Sequence, residues 1–276
     1  MTFDMNQAWS RANVLARENF SLLAVIAGLF ILLPTLVIYL MVPGMEALLS
    51  PSADPEILQE KMLEAAGPLI TWGLLGSIIQ YTGYGAMVAL MGDGRPTVAE
   101  ALGTGAKSVA TIIAAFLIFA VLYMVAAIVI VTPFAMLAGV IGVPGLAAIA
   151  PLLIIAVALF LMTRFSMTMP VVLIEKVLNP FRAVKRSWDM TRVHQWRILV
   201  FWAILGVAYI VISLLLVSVF GLIASFAGDG TASKLILGSV NGLMAMVVGI
   251  MLCALAVAIH GQLAGPSEAD VTSTFE

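Results

Sequence analysis

The chain has 276 residues, 62% hydrophobic and 10% charged, with a formal net charge of -2 and a mean hydropathy of +1.13. Soluble domains carry about 25% charged residues, so a water-facing globule is excluded. The one cysteine, Cys253, excludes an internal disulfide.

Five stretches contain no Asp, Glu, Lys or Arg: 19–45, 65–92, 108–163, 198–228 and 235–267. A helix needs about 20 apolar residues to cross a bilayer. Four stretches therefore hold one span each, and 108–163 holds two spans and a turn. The expected fold is an all-α integral membrane protein, a single polytopic domain over 1–276 with six transmembrane helices. The spans fall near Phe20–Met41, Leu69–Met91, Ser108–Val131, Leu152–Ile174, Ile198–Phe220 and Leu235–Ile259. The first is too long for the apolar region of a signal peptide and lacks a small-residue cleavage site.

In chain order, the first element is a short amphipathic helix over Asp4–Glu18, with Met5, Ala8, Trp9, Ala12 and Leu15 at helical spacing. After span one, Asp54-Pro55 opens a polar helix, Glu56–Ala66, that Gly67-Pro68 is expected to end. A second amphipathic helix starts at Thr97-Val98-Ala99-Glu100, a capping box behind Pro96. The apolar but breaker-rich stretch 132–151 reads as an interfacial hairpin in preference to an outer extension of span four, because Pro151 suits a helix start. A third amphipathic helix begins at Asn179-Pro180, an N-cap followed by proline at the first helical position. In it Phe181, Val184 and Trp188 share one face, and Arg182, Lys185, Arg186 and Asp189 another. Gly228-Asp229-Gly230 links spans five and six. The three amphipathic helices are expected to lie in the headgroup layer. A unit of surface helix, outward span and inward span would then repeat three times, although any even-span protein with short connections shows that order.

The charges orient the spans. Arg11, Arg17, Arg95, Lys107, Lys176, Arg182, Lys185, Arg186, Arg192 and Arg197 fall on one side, and only Lys61 and Lys234 on the other. The positive side faces the cytoplasm, which puts both termini and the three amphipathic helices there. Glu46, Asp54, Glu56, Glu60 and Glu64 fall on the outer side.

The run Pro170-Val-Val-Leu-Ile-Glu175-Lys176, then Asn179-Pro180-Phe-Arg-Ala-Val-Lys-Arg186-Ser187-Trp188-Asp-Met-Thr191 and Gln195-Trp196-Arg197, resembles bacterial inner-membrane proteins of the YciC type. It is similar also to the membrane domain found alongside glycerophosphoryl diester phosphodiesterases. The turn Gly92-Asp93-Gly94-Arg95-Pro96-Thr97 fits the same pattern, with Met190 departing from the usual Leu. The resemblance implies a six-span inner-membrane protein concerned with the envelope or phospholipid homeostasis. It does not imply phosphodiesterase activity.

Few polar groups are placed to act. Arg164 lies ten residues from the inner end of span four as drawn above, about 15 Å deep at 1.5 Å per residue. A charge there costs at least ~2.5 kcal/mol. It reads either as a contact for a lipid phosphate or other anion, with Gln80 and Asn241 as candidate neighbours, or as a structural arginine bonded to free carbonyls and hydroxyls. Arg182, Lys185, Arg186 and Arg192, with Arg197, Trp188, Trp196 and Trp202, read as a headgroup anchor, a topogenic anchor or a docking surface. Gly238, Gly242, Ala245 and Gly249 form a small-residue stripe on span six, for packing within the chain or for a homo-oligomer. The tyrosines of span two, Tyr81 and Tyr84, suit the inner aromatic belt. His194 and His260 are the only histidines, no phosphate-binding loop occurs, and no catalytic residues, metal site or cofactor are expected. The expected partners are membrane phospholipids, with a protein partner in a membrane complex as a further candidate and no nucleic acid. The leading reading is a non-enzymatic protein of phospholipid handling or a scaffold or accessory subunit; the alternative is a transporter or permease subunit for a lipid or small anionic solute.

The topology is directly testable in a Cys253→Ser background. Glu60→Cys should react with a membrane-impermeant maleimide on intact cells, and Lys185→Cys only after the membrane is opened. The reverse pattern would invert the orientation.

Overall fold

The computed structural model describes residues 3–45, 55–92, 94, 96–141, 149–228 and 230–264. Asp93, Arg95, Asp229 and the stretches 46–54 and 142–148 lie outside them, with the parts of the expected turns that fall there. The described residues are almost entirely helical and contain no strand. Six helices are long and apolar enough to span a membrane: Phe20–Met41, Gln59–Met91, Val98–Ile141, Ile149–Leu173, Gln195–Phe226 and Thr231–Ala264. The all-α membrane fold follows.

Helix α1 (Met5–Glu18) buries Ala8, Ala12, Leu15 and Ala16, while Trp9 is partly exposed. Asn19 separates it from span one. The Asn19 side chain donates to the Leu15 carbonyl at 3.1 Å, and its own carbonyl accepts from Leu23 N at 2.9 Å. One residue thus closes one helix and opens the next. Span one is α2 (Phe20–Ala27), a π-helical turn over Gly28–Leu32 and α3 (Leu33–Met41). Pro34 explains the wide turn: it has no N–H, and its ring would press on the carbonyl four residues back.

Span two belongs to α4 (Pro55–Met91), which runs unbroken through Pro68. The expected stop at Gly67-Pro68 does not occur: one lost backbone bond is a small defect in so long a helix. The capping box forms as its residues dictate, with Thr97 N donating to Glu100 Oε2 at 2.9 Å and Glu100 N to Thr97 Oγ1 at 3.4 Å. It opens α5 (Val98–Ile141), which continues into span three without a separate surface helix. Residues 132–141 prolong that helix past Pro133, and α6 (Ile149–Phe165) starts two residues before Pro151. The hairpin expected over 132–151 is therefore replaced, where described, by the ends of two long helices. Apolar surroundings penalise unpaired backbone, which favours continued helix over an open hairpin. Span four is completed by α7 (Thr168–Leu173) after a break at Ser166-Met167. The third amphipathic helix is α8 (Pro180–Thr191), capped by Asn179, whose side chain accepts from Arg182 N at 3.1 Å. Spans five and six are α9 (Gln195–Phe226) and α10 (Thr231–Ala264). Gly228 ends the turn after α9 at φ +73°, a conformation glycine adopts without strain.

The chain forms two compact units. One comprises 10–109 and 206–257, and close helix contact organises it. A Cβ on Gly83 would collide with Phe30 Cβ, and one on Gly249 would lie 2.8 Å from Ile31 Cδ1 and 2.9 Å from Tyr84 Cε1. On the same stripe of α10, a Cβ added to Gly242 would lie 3.2 Å from the Leu32 carbonyl oxygen, and one added to Gly238 would lie 2.9 Å from Leu36 Cδ1 and 3.1 Å from Tyr39 Cβ. The π turn of span one is thus packed between glycines of spans two and six. Gln80, on α4, donates to Thr35 Oγ1 at 3.3 Å, and Thr35 to the Ile31 carbonyl at 2.7 Å. Asn241 donates to its own helix at Leu237 O. Tyr84 lies against Gly249, and its carbonyl faces Cys253 Sγ at 3.8 Å.

The other unit comprises 1–9, 110–205 and 258–276. Arg197, at the start of α9, donates to the Phe3 carbonyl at 3.2 Å, and Asp4 N donates to Gln262 Oε1, near the end of α10, at 3.1 Å. The start of the chain, the start of α9 and the end of α10 therefore meet at one level, as an even number of crossings requires.

The glycine contacts make a paired prediction on α5. A Cβ at Gly105 would collide with the Thr82 carbonyl and lie 3.0 Å from Ala86 N, both backbone, whereas one at Gly103 meets nothing within 4 Å. Gly105→Ala should destabilise by about 1–3 kcal/mol through forced backbone shifts. Gly103→Ala should be neutral or stabilising by up to about 1 kcal/mol. Thermal unfolding of the two variants in mild detergent measures the difference.

Candidate functional site

The break in span four builds the site. Ser166-Met167 contains no strong helix breaker, yet α6 ends before it, and Pro170 then falls in the first turn of α7. There its missing N–H is one that no helix would have used. The break leaves the end of α6 and the start of α7 with unpaired backbone groups. Ser187 of α8 serves both: its hydroxyl donates to the Arg164 carbonyl at 2.6 Å and accepts from Met167 N at 3.2 Å. Ser187 is fully buried.

Arg164 returns the service. Its Nη1 donates to the Trp188 carbonyl at 3.3 Å, in the last turn of α8, and its Nη2 donates to the Gln195 side-chain oxygen at the start of α9. The last carbonyls of a helix lack intrahelical donors and carry the negative end of its dipole, so a guanidinium is well matched to them. Phe160 and Trp188 flank the guanidinium on one side, their ring centroids 5.3 and 5.0 Å from its carbon. The two rings themselves meet edge-on at 5.8 Å. Arg164 is only 6% exposed, and its Nε has no acceptor. Thr168 Oγ1 and Trp202 Nε1 are likewise buried with no partner among the described residues.

This placement corrects the sequence expectations. Arg164 still lies well inside span four, Ile149–Leu173, but that span breaks two residues after it, so Arg164 sits in the final turn of α6, bonded to the first residue of α9. Gln80 and Asn241 bond to Thr35 and Leu237, and Gln195 and Trp188 hold Arg164 instead.

A second polar cluster fastens the other end of α8. Glu175 accepts from Arg186 Nε at 3.1 and 3.3 Å and lies 3.1 Å from His260 Nε2 on α10. His260 is 5% exposed. Lys176, at φ +56°, turns the chain sharply beyond α7 in a region lysine rarely occupies. Thr111 Oγ1 holds the same loop through the Leu178 carbonyl at 2.8 Å.

Helix α8 therefore has three sides. Ala183, Ser187, Met190 and Thr191 are buried against the protein. Trp188 covers Arg164. Phe181, at 72% exposure, is turned outward along with Arg182, Lys185 and Arg186. Of the face that Phe181, Val184 and Trp188 share, Phe181 is exposed and Trp188 packs on Phe160 and Arg164. Of the predicted cationic residues, Arg164 and Arg186 are committed to protein partners. Arg182, Lys185 and Arg192 are exposed and have no carboxylate partner among the described residues. On the packing stripe, Gly238, Gly242 and Gly249 face span one, and Ala245 lies between them. Among the described residues no group of His, Cys, Asp or Glu is arranged to hold a metal ion.

Ser187, Gln195 and Glu175 were not singled out from the sequence as partners for Arg164 and His260. The usable signal was the small and hydroxyl stripe Ala183, Ser187, Thr191, spaced four apart, which marks a close-packed helix face.

No family model, curated protein or solved structure matches this chain.

The cap makes a specific prediction. Ser187→Ala leaves a buried N–H and a buried carbonyl without partners and should cost about 1–3 kcal/mol. Ser213→Ala, whose hydroxyl bonds only its own helix at the Ile210 carbonyl, should change stability by less than about 0.5 kcal/mol. Equal unfolding temperatures for the two variants would refute the capping role.

Proposed function

We propose that this chain is a non-enzymatic protein of the bacterial inner membrane, with both termini in the cytoplasm, that engages anionic phospholipid headgroups through α8. It serves phospholipid handling or holds a larger envelope complex at the membrane. One observation carries the reading. Helix α8 is bolted down by Ser187 and Arg164 on its buried side and by the Arg186–Glu175 pair at its exposed edge. Its exposed side and the following turn present Arg182, Lys185 and Arg192 with no carboxylate partner among the described residues, beside the exposed Phe181 and Trp196. A rigid helix loses little entropy when headgroups gather on it. Each unpaired cation near an anionic surface contributes ~1 kcal/mol, and aromatic rings favour the headgroup boundary. The asymmetry of Lys and Arg along the chain supports the orientation, and the resemblance to envelope proteins of the YciC type supports the setting.

A transporter or permease subunit for a lipid or small anionic solute is the second reading. The interruptions of span one at Gly28–Leu32 and of span four at Ser166-Met167 favour it, because transporters place their sites at broken helices. Both interruptions are occupied by the protein's own side chains, which ranks it second.

Extraction of the full chain with its surrounding lipid in polymer nanodiscs tests the leading reading. The wild-type discs should be enriched in phosphatidylglycerol and cardiolipin over the bulk membrane. Removing two cations in R182Q/K185Q, worth ~2 kcal/mol together, should return the composition to that of the bulk. Wild-type discs at bulk composition, with anionic solute flux in reconstituted vesicles, would move the assignment to the transporter.

A further inference from the structure

We propose that the acidic segment 265–276 straps across the cations of α8 and of the loop before it. Glu268 and Asp270 cover Lys176, Arg182 and Lys185 until anionic headgroups displace them. The competition with headgroups rests on the α8 reading above; the docking of the segment does not.

The first argument is place. His260 lies 3.1 Å from Glu175, which pairs with Arg186 of α8 at 3.1 Å, and Lys176 is the next residue of the loop. Ala264, the last described residue, follows His260 by one turn of α10, about 6 Å. The segment 265–276 lies outside the described residues, and it leaves α10 beside this cluster. It opens with Gly265-Pro266, a helix-stop signal. Glu268 and Asp270 follow Ala264 by four and six residues, at most about 14 and 22 Å of extended chain. Arg182 is one turn from Arg186 along α8, again about 6 Å. The links from Ala264 through His260, Glu175 and Arg186 to Arg182 therefore come to about 27 Å laid end to end. The chain to Asp270, with the lengths of the two side chains, spans that. The other side of the α10 end is unfavourable to acidic residues: Asp4 N donates to Gln262 Oε1 at 3.1 Å, which brings the Asp4 carboxylate close.

The second argument is charge. Residues 175–192 carry five Lys and Arg against Glu175 and Asp189, a net +3. Among the described residues Arg186 is the one of these cations with a carboxylate partner, and Lys176, Arg182 and Lys185 are exposed. The segment 265–276 carries Glu268, Asp270 and Glu276 and no Lys or Arg, a net -3. Its Phe275 also suits the exposed Leu178 and Phe181 beside those cations.

The strength of the contact sets its use. Exposed ion pairs are individually weak, and a single surface cation gains about as much from anionic lipid. Tethering favours the segment, because a short linker holds its carboxylates at an effective concentration on the order of millimolar. In a neutral membrane the segment has no competitor. Where anionic lipid is abundant, headgroups outnumber it and take the cations. Helix α8 is then open only above a threshold of anionic lipid, and the strap makes it a reader of membrane composition.

Carbodiimide crosslinking of the full chain, in nanodiscs holding one copy each, tests the contact. In phosphatidylcholine, Glu268 or Asp270 should become joined to Lys176 or Lys185, identified by peptide mass spectrometry. Added phosphatidylglycerol should suppress the product. E268Q/D270N should half-saturate with a fluorescent phosphatidylglycerol in mild detergent at about fivefold lower concentration than the wild type, the release of two exposed ion pairs. In an R182Q/K185Q background that difference should vanish. The absence of crosslinks to both lysines in phosphatidylcholine overturns the strap. Lipid binding that R182Q/K185Q still weakens in that case leaves the α8 surface reading intact. Crosslinks that form but ignore phosphatidylglycerol keep the docked segment and count against the headgroup reading instead.

Discussion

The structure turns on one constraint: a helix that breaks within an apolar protein must find partners for the backbone groups it exposes. Span four breaks at Ser166-Met167, and the repair comes from a different helix. Ser187 of α8 satisfies the backbone on both sides of the break, while Arg164, the last polar residue before it, satisfies the far end of α8. Each helix caps the other. Neither cap forms unless the two helices are already packed, so the arrangement is cooperative and fixes where α8 lies.

That constraint explains the uneven use of the cations. The same residue types on the same short helix divide by whether a carboxylate of the protein comes within reach. Arg186 reaches Glu175 and, through it, His260 on α10; Arg182, Lys185 and Arg192 stay outside. Burial of Ala183 and Ser187 lets α8 approach closely, and close approach is what lets Arg164 reach the Trp188 carbonyl. A bulkier stripe would hold α8 away and leave Arg164 without its acceptor. The other unit follows a parallel logic with different chemistry. There the irregular π turn of span one is met by glycines, because shape and not hydrogen bonding is the quantity to match.

The comparison of residues with structure is instructive where it failed. Gly67-Pro68 and Pro133 are breakers by local preference, yet α4 and α5 run through Pro68 and Pro133, whereas Pro151 falls, as its type suggests, in the first turn of α6. In an apolar setting the loss of one backbone bond is a smaller penalty than opening a turn whose groups all lack partners. Ser166-Met167, with no breaker, is where a helix ends. The sequence carried the composition of that break in Pro170 and Ser187, but the two are seventeen positions apart and belong to separate helices, so nothing local joined them. Thr97-Glu100 and Asn179-Pro180 went as expected, because a cap is completed by residues within one turn of itself.

Hydrocarbon length is a property of the linear chain, so the number of spans and their approximate positions could be read from residues alone, whereas their limits could not: α4, α5, α9 and α10 all run beyond the spans expected of them. Transfer of side chains out of water is nearly additive and needs no partner. The pairing of Arg164 with Trp188 and Gln195, the Glu175–Arg186–His260 cluster and the choice of which cations stay free were decided only by tertiary structure. A buried polar group is tolerated only against a particular acceptor at hydrogen-bond distance, and that distance exists only once separate helices have come together.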